Sequence, residues 1–199
     1  MKEGEAFGWK SLEELEPAEV TKRAGVAYDT ESECYRLDLF SSPVEVFPGK
    51  KTMTGHSEQT ELLLTRLSYF SKISILSYLA NAKNIEPSGH LVKPSEAGAL
   101  ATYYEGSHEL PLGGVAGKYG SDRDAFIEKG KSFGATVGKC GDVSIQLHPF
   151  EKIPVELVLW LADDEFPARA DLLVDSTCSL HVPADIIWSI AMMSVLIML

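Results

Sequence analysis

The hydrophobic positions of the chain follow helical spacing in some stretches and strand spacing in others. Residues 11–25 have the apolar spacing of a short first helix. From Cys34 the pattern has period two, with apolar and polar residues alternating. Ser41-Ser42-Pro43 and then Pro48-Gly49 are typical of turns. This part of the chain is therefore predicted to be a small antiparallel meander.

The longest helical pattern runs from about His56 to Lys83, where apolar residues occupy two neighbouring stripes. Ser57 suits the N-cap of this helix, and Glu58 and Glu61 place carboxylates in its first turn. We expect a single central helix that packs on a sheet.

The second half of the chain predicts strands followed by an apolar helix. A helix is expected from Ser121 to Phe133, capped by Ser121 and ended by Gly134. Strands are predicted by the alternating segment Val143–His148 and by the apolar runs Ile153–Leu161 and Ala170–Val174. The apolar run Ile186–Leu199 predicts the last helix. The strands are not separated by regular crossover helices, which argues against a doubly wound fold. The prediction is a single α+β domain over residues 1–199. Its mainly antiparallel sheet, an early meander plus a late hairpin, packs against a long central helix and an apolar C-terminal helix.

The region from Asn84 to Gly120 is irregular and rich in glycine and proline. A loop of this length in a compact domain is either functional or wrongly assigned. Its segment Leu112–Tyr119 contains a Gly-Lys pair, but a phosphate-binding loop needs a glycine at Leu112 and Ser or Thr at Tyr119. We interpret this segment as a plain flexible loop.

The formal net charge of −11 disfavours nucleic acid and anionic membranes as partners, since both bind proteins mainly through basic groups. Three widely spaced cysteines fit reduced thiols in a cytoplasm. The apolar run Ile186–Leu199 spans about 21 Å as a helix and is too short for a bilayer. Either the core of the domain covers this helix or a second copy does, which would make a homodimer.

The acidic turn Asp163-Asp164-Glu165 is one candidate for chemistry. Asp164 and Glu165, with His148 or His181, could act as acid and base in a hydrolase or a metal-assisted enzyme. An Asp-rich hairpin turn is also an ordinary solvated turn, and this is the interpretation that the residues favour.

Cys178 and His181 have a spacing that allows both side chains to bind one metal ion, with Cys140 and His148 as further ligands. Buried free cysteines and scattered histidines explain the same residues without a metal. The sequence indicates no particular cofactor.

A third candidate site lies in the irregular region. Tyr103, Tyr104 and His108, with His90 and Glu109 nearby, could line a cleft for a ligand. The alternative is that the two tyrosines simply pack on a strand edge.

The chain contains Trp9 and the segments Leu15–Val20, Tyr35-Arg36-Leu37, Pro87-Ser88-Gly89, Asp164-Glu165-Phe166-Pro167-Ala168 and Leu172–Asp175. In these residues it resembles an uncharacterised family of bacterial and archaeal proteins known only as a domain of unknown function. The resemblance implies a cytoplasmic accessory protein of anaerobes, in redox or corrinoid metabolism. It also implies that some members carry an iron–sulfur cluster segment, for which this chain has no cysteine set.

Two functional hypotheses follow from the sequence. The first is a binding module for a small ligand or a protein partner, because no catalytic motif is complete. The second is the acid–base enzyme described above.

Overall fold

The computed structural model describes residues 3–97 and 109–199 and has the predicted α+β architecture. Helices and two antiparallel sheets share one hydrophobic core. The helices in the described ranges are α1 (Glu3–Glu13), α2 (Pro17–Ala24), α3 (Glu58–Thr65), α4 (Ser68–Asn81), α5 (Leu112–Tyr119), α6 (Arg123–Lys131), α7 (Cys178–His181) and α8 (Ala184–Leu196), with a 3₁₀ turn at Pro48–Lys50. The strands are β1 (Ala27–Asp29), β2 (Cys34–Leu39), β3 (Ser42–Phe47), β4 (Thr52–Thr54), β5 (Leu91–Val92), β6 (Thr136–Val137), β7 (Val143–Phe150), β8 (Ile153–Trp160) and β9 (Arg169–Asp175).

The first sheet is the predicted meander, with strand order β1-β2-β3-β4. Leu39 pairs with Ser42, so the β2–β3 loop is Phe40-Ser41, one residue earlier than the sequence predicted. Both loop residues have positive φ, 50° and 57°, which suits the twist of a two-residue hairpin but strains residues other than glycine. Phe40 is fully buried, and its N–H donates to the carbonyl of Pro149 at 3.4 Å. The tip of the meander is therefore packed against the second sheet.

The second sheet has strand order β5-β9-β8-β7-β6 and contains the predicted late hairpin β8–β9. Its central strand is β8, where Val155, Leu157 and Leu159 are fully buried. The edge strands β5 and β6 have two residues each, which is too short to leave a periodic pattern in the sequence.

The predicted central helix is wrong in one respect, because it is divided into α3 and α4. The predicted N-cap is confirmed, since the Ser57 hydroxyl accepts the N–H of Thr60 at 3.0 Å. The Ser71 hydroxyl donates to the carbonyl of Leu63 at 2.7 Å, and the N–H of Leu67 turns to Leu62 instead. A side-chain hydroxyl thus replaces one backbone hydrogen bond and divides the helix.

The first helical stretch is also two helices, α1 and α2. Pro17 begins α2 as its first residue, and Gly25 ends it with φ 71°. The cap of α6 is Asp122, whose carboxylate accepts the N–H of Ala125 at 3.0 Å, and not Ser121.

The segment predicted as a flexible loop, Leu112–Tyr119, is the helix α5. Val115 and Tyr119 lie on one face and are buried, and the Tyr119 hydroxyl donates to the carbonyl of Met198 at 2.6 Å. These tertiary contacts outweigh the low helix propensity of three glycines.

Replacing Gly117 with alanine is expected to raise the free energy of unfolding by about 0.5–1 kcal/mol, because an added Cβ meets open space and lowers the entropy of the unfolded chain. Urea unfolding measures the change. Gly114→Ala is the matched control in the same helix, because its Cβ would lie 3.1 Å from Leu199. The increase in the free energy of unfolding should therefore be smaller for this variant. Destabilisation by Gly117→Ala would argue against α5.

The apolar C-terminal helix α8 is covered by the chain itself. Ile187, Ile190 and Met193 are buried, and the Met193 sulfur lies 3.3 Å from the Ser71 hydroxyl of α4. No helix in residues 3–97 and 109–199 is both long enough and apolar enough to span a membrane. A homodimer through this helix stays a prediction, but its reason, an uncovered apolar helix, is removed.

Candidate functional site

The acidic turn is organised by Asp163. Its carboxylate accepts the N–H groups of Glu165 at 2.9 Å and Phe166 at 2.7 Å. These backbone hydrogen bonds, that of Phe166 first, lower the pKa of Asp163. Asp164 and Glu165 are exposed. The geometry is that of a solvated turn whose first carboxylate caps its own backbone.

The structure does not bring the acidic turn to either histidine proposed as its catalytic partner. The turn follows Trp160 at one end of β8. Leu147, next to His148, and Val174, at the end of β9 that leads to His181, both pair with Val155 near the other end. The strand from Val155 to Trp160 spans about 17 Å, far beyond a water-bridged hydrogen bond.

The predicted ligand residues Tyr103, Tyr104 and His108 lie outside the described residues. Of their predicted neighbours, His90 is exposed, and its carbonyl accepts the N–H of Ser176 at 2.9 Å.

Asp175, at the end of β9, has a fully buried carboxylate that is hydrogen-bonded to two loops. It accepts hydrogen bonds from the N–H and hydroxyl of Ser88, the N–H of Gly89, and the N–H and hydroxyl of Thr177, at 2.7–3.2 Å. Burial alone would raise the pKa of Asp175, but the hydrogen bonds from Thr177 and Ser88 bring it below the usual value. Two segments of the family resemblance, Pro87-Ser88-Gly89 and Leu172–Asp175, therefore meet in a structural clamp.

Two more buried polar side chains hold the segment that follows α4. The His181 Nδ1 accepts the N–H of Lys83 at 3.2 Å. The Lys152 ammonium donates to Asn84 at 3.3 Å and lies 3.4 Å from the Glu86 carboxylate. Together with Asp175, these groups fix the path from α4 to β5.

The geometry of Cys178 and His181 does not favour the predicted metal site, which stays a prediction. Burial raises the pKa of the Cys178 thiol to about 12, away from the thiolate that binds metals. The His181 Nδ1 lone pair accepts the N–H of Lys83, so the neutral ring carries its proton on Nε2, which is buried and has no hydrogen-bond partner among residues 3–97 and 109–199. In the part of the chain that the structure describes, no three His, Cys, Asp or Glu side chains are arranged to hold a metal ion.

The buried imidazole makes stability depend on pH. Burial, and then the charge of Lys152, lowers the pKa of His181, although Asp175 and Glu86 act in the opposite direction. The unfolded state therefore takes up its proton first on acidification. The neutral imidazole of His181 contributes fully to the stability of the folded state above the unfolded pKa of about 6.5. This contribution is lost as the pH falls through that value toward the folded pKa.

We expect His181→Asn to weaken this pH dependence, because an amide oxygen can accept the N–H of Lys83 without titrating. The measurement is the free energy of unfolding in urea at neutral pH and at mildly acidic pH. His90→Asn, at an exposed histidine, is the control and should keep the wild-type dependence. Equal pH dependence in His181→Asn and the wild type would contradict this role.

A cleft separates the meander from the end of the β7–β8 hairpin, with a volume of about 610 Å³. We call it the meander cleft. This volume lies within the usual range of about 300–1,000 Å³ for small-molecule sites. Its apolar wall comes from the end of α2, the start of β1, the inner positions of the meander and α4. The residues are Ala24, Val26, Ala27, Leu37, Val44 and Tyr78.

The ionisable residues of the meander cleft come from β2, β3, the loop before α3 and the β7–β8 hairpin. They are Arg36, Asp38, Glu45, His56, His148 and Glu151. His148 is thus the one predicted catalytic candidate that lines the cleft. His181, Asp164 and Glu165 do not line it.

Arg36 is already held by two carboxylates. Its guanidinium lies 3.2 Å from Glu45 and 2.7 Å from Asp29, and Glu45 and Asp29 raise the pKa of Arg36 further. The other oxygen of Glu45 lies 3.8 Å from His56 Nε2. These partly exposed side chains form a chain of charged and polar contacts along one rim of the cleft.

At the opposite wall, the Tyr78 hydroxyl donates to the carbonyl of Ala24 at 2.7 Å. Burial raises the pKa of Tyr78, and the charge of Glu151 adds to this effect. The Tyr78 ring stacks on Phe150 with centroids 4.3 Å apart, which fixes its orientation. This side of the cleft is therefore closely packed and apolar, with the Glu151 carboxylate at its edge.

The sequence does not reveal this site because its residues come from six separate segments, between Ala24 and Glu151. The available signal was the alternation of Arg36 and Asp38 with buried residues on β2, which predicts an outward polar pair. It did not indicate that the β7–β8 hairpin would lie opposite.

The family model for a domain of unknown function, DUF3786, matches residues 16–196. No curated protein and no solved structure matches the chain. The match covers the α2 start, the clamp at Asp175, both sheets and the meander cleft. This chain therefore belongs to the family described as a domain of unknown function, DUF3786.

Proposed function

We propose that this protein binds a small organic molecule in the meander cleft. The observation that carries the proposal is a cleft of about 610 Å³ that combines an apolar lining with ionisable side chains along its rim. Small-molecule sites typically have such a lining, in which the apolar surface supplies affinity and a few polar groups supply orientation.

The position of the cleft in the fold also supports binding. Its two sides belong to different sheets, and the buried tip of the meander connects them. Sites between packed units of a fold are common places for ligands.

The test is a fragment screen by thermal shift and amide NMR, in which binders should perturb residues of the meander cleft. Ala27→Trp places a large side chain at an exposed lining position and should abolish these responses. Thr52→Trp is the matched control, because Thr52 is exposed on the same sheet but does not line the cleft. Binders that respond equally to both variants would contradict the proposal.

An acid–base enzyme is the second candidate, now with different partners. The observation that favours it is that His148 and His56 line the same cleft as Glu45 and Glu151. A panel of ester and phosphomonoester substrates tests it, with turnover that His148→Asn removes as the supporting result. Turnover unchanged in His148→Asn would count against it.

The cellular context rests on the family resemblance and on the free state of Cys34, Cys140 and Cys178. We place the protein in the cytoplasm of an anaerobe, as an accessory protein of redox or corrinoid metabolism. Comparing its abundance under anaerobic growth with and without a corrinoid-dependent substrate tests this context.

A further inference from the structure

We infer that the ligand of the meander cleft is an organic cation, a protonated amine on a small apolar body. This inference rests on the proposed binding function and adds the chemical class of the ligand. It follows from the balance of charge around the cleft, from the place of Glu151, and from the apolar wall.

The charges that line the cleft are mainly negative. Three carboxylates, Asp38, Glu45 and Glu151, face one guanidinium, that of Arg36. Arg36 is occupied by Glu45 and by Asp29, so it is a poor partner for an anionic ligand. The net charge of the whole chain, −11, adds a field of the same sign.

Glu151 lies at the C-terminal end of α2, where the helix dipole is negative. A Cβ built on Gly25, the residue that ends this helix, would be 2.9 Å from Glu151 Oε2. A carboxylate at this end of a helix is unfavourable unless a cation is added. Within the described residues, no salt bridge involves Glu151 or Asp38.

Two cations near this end of α2 are held by other groups. Arg23 donates to the carbonyls of Ala80 and Ala82 and pairs with Glu19. The Lys152 ammonium is held by Asn84 and Glu86. Neither Arg23 nor Lys152 pairs with Glu151, so the Glu151 carboxylate can accept a ligand ammonium.

The apolar wall distinguishes an organic cation from a metal ion. The side chains of Val26, Ala27 and Pro43 offer accessible apolar surface to a hydrocarbon or aromatic body and no ligand to a metal. The described residues also hold no three-ligand group for a metal. An ammonium beside Glu151 with its apolar body against Val26 and Ala27 would satisfy both features.

The experiment compares benzylamine, benzyl alcohol and benzoate, which have similar shape and different charge, by amide NMR titration of the full chain. Benzylamine should perturb the amides of the cleft most and bind most tightly. Glu151→Gln should weaken the binding of benzylamine by about three- to tenfold and leave the binding of benzyl alcohol unchanged. Glu165→Gln, which changes the net charge equally at an exposed site outside the cleft, should leave benzylamine binding unchanged.

If benzyl alcohol or benzoate binds in the cleft as tightly as benzylamine, the proposal of a cationic ligand is overturned. The proposed binding function would not be contradicted by this result. Perturbation of the cleft by Ca²⁺ but not by benzylamine would also overturn it. If none of the three probes perturbs the cleft, the cationic ligand is overturned, and the fragment screen with Ala27→Trp decides the binding function separately.

Discussion

Replacing Asp175 with asparagine is expected to lower the free energy of unfolding by about 3 kcal/mol. Both carboxylate oxygens are buried and accept hydrogen bonds, Oδ1 from Ser88 and Thr177 and Oδ2 from Gly89. An asparagine has one acceptor oxygen, so its NH₂ group must face a buried N–H donor. Urea unfolding measures the loss.

The matched control for this variant is Asp171→Asn, at a half-buried aspartate of the same strand. We expect it to change the free energy of unfolding by less than about 1 kcal/mol. Equal effects of the two substitutions would show that Asp175 is not the clamp described here.

Replacing Gly134 with alanine is expected to lower the free energy of unfolding by about 3 kcal/mol, from backbone strain and a steric clash together. Gly134 has φ 72°, and an added Cβ would collide with Cβ and Oγ of Ser41. Ser41 cannot withdraw easily, because it occupies a tight hairpin loop whose other residue, Phe40, is buried.

The variant Gly89→Ala separates the effect of backbone strain from the effect of the steric clash. Gly89 has nearly the same φ, 74°, but an added Cβ would have open space around it. In this control only the backbone strain acts, and it should lower the free energy of unfolding by about 1–2 kcal/mol. If the two variants lose the same stability, the tip of the meander does not pack against Gly134.

The elements with clear periodicity were predictable from the sequence. Correct predictions came from the alternation on β2 and β7, the apolar run of β8 and the helix cap at Ser57. These features depend on neighbouring residues, which the sequence displays directly.

The errors arose where distant contacts determine the local structure. The Ser71 hydroxyl divides the central helix, and packing of Tyr119 against the C-terminus makes a helix of a glycine-rich segment. Neither contact is visible at short range in the sequence.

The candidate site was predictable only in part. His148 was recognised as a polar residue on a strand, but its neighbours Arg36 and Glu45 are more than one hundred positions earlier in the chain. The acidic turn and the Asp175 segment carry the family resemblance, and the structure gives both a structural role. The polar residues most evident in the sequence therefore stabilise the fold, and the proposed binding residues are less evident.

The most direct test of the central claim is a crystal structure of the protein soaked with a mixture of small organic fragments. We expect fragment density in the meander cleft, against Val26 and Ala27 and within reach of Glu151 and His148. Fragments bound repeatedly at other surfaces, with none in the meander cleft, would contradict it.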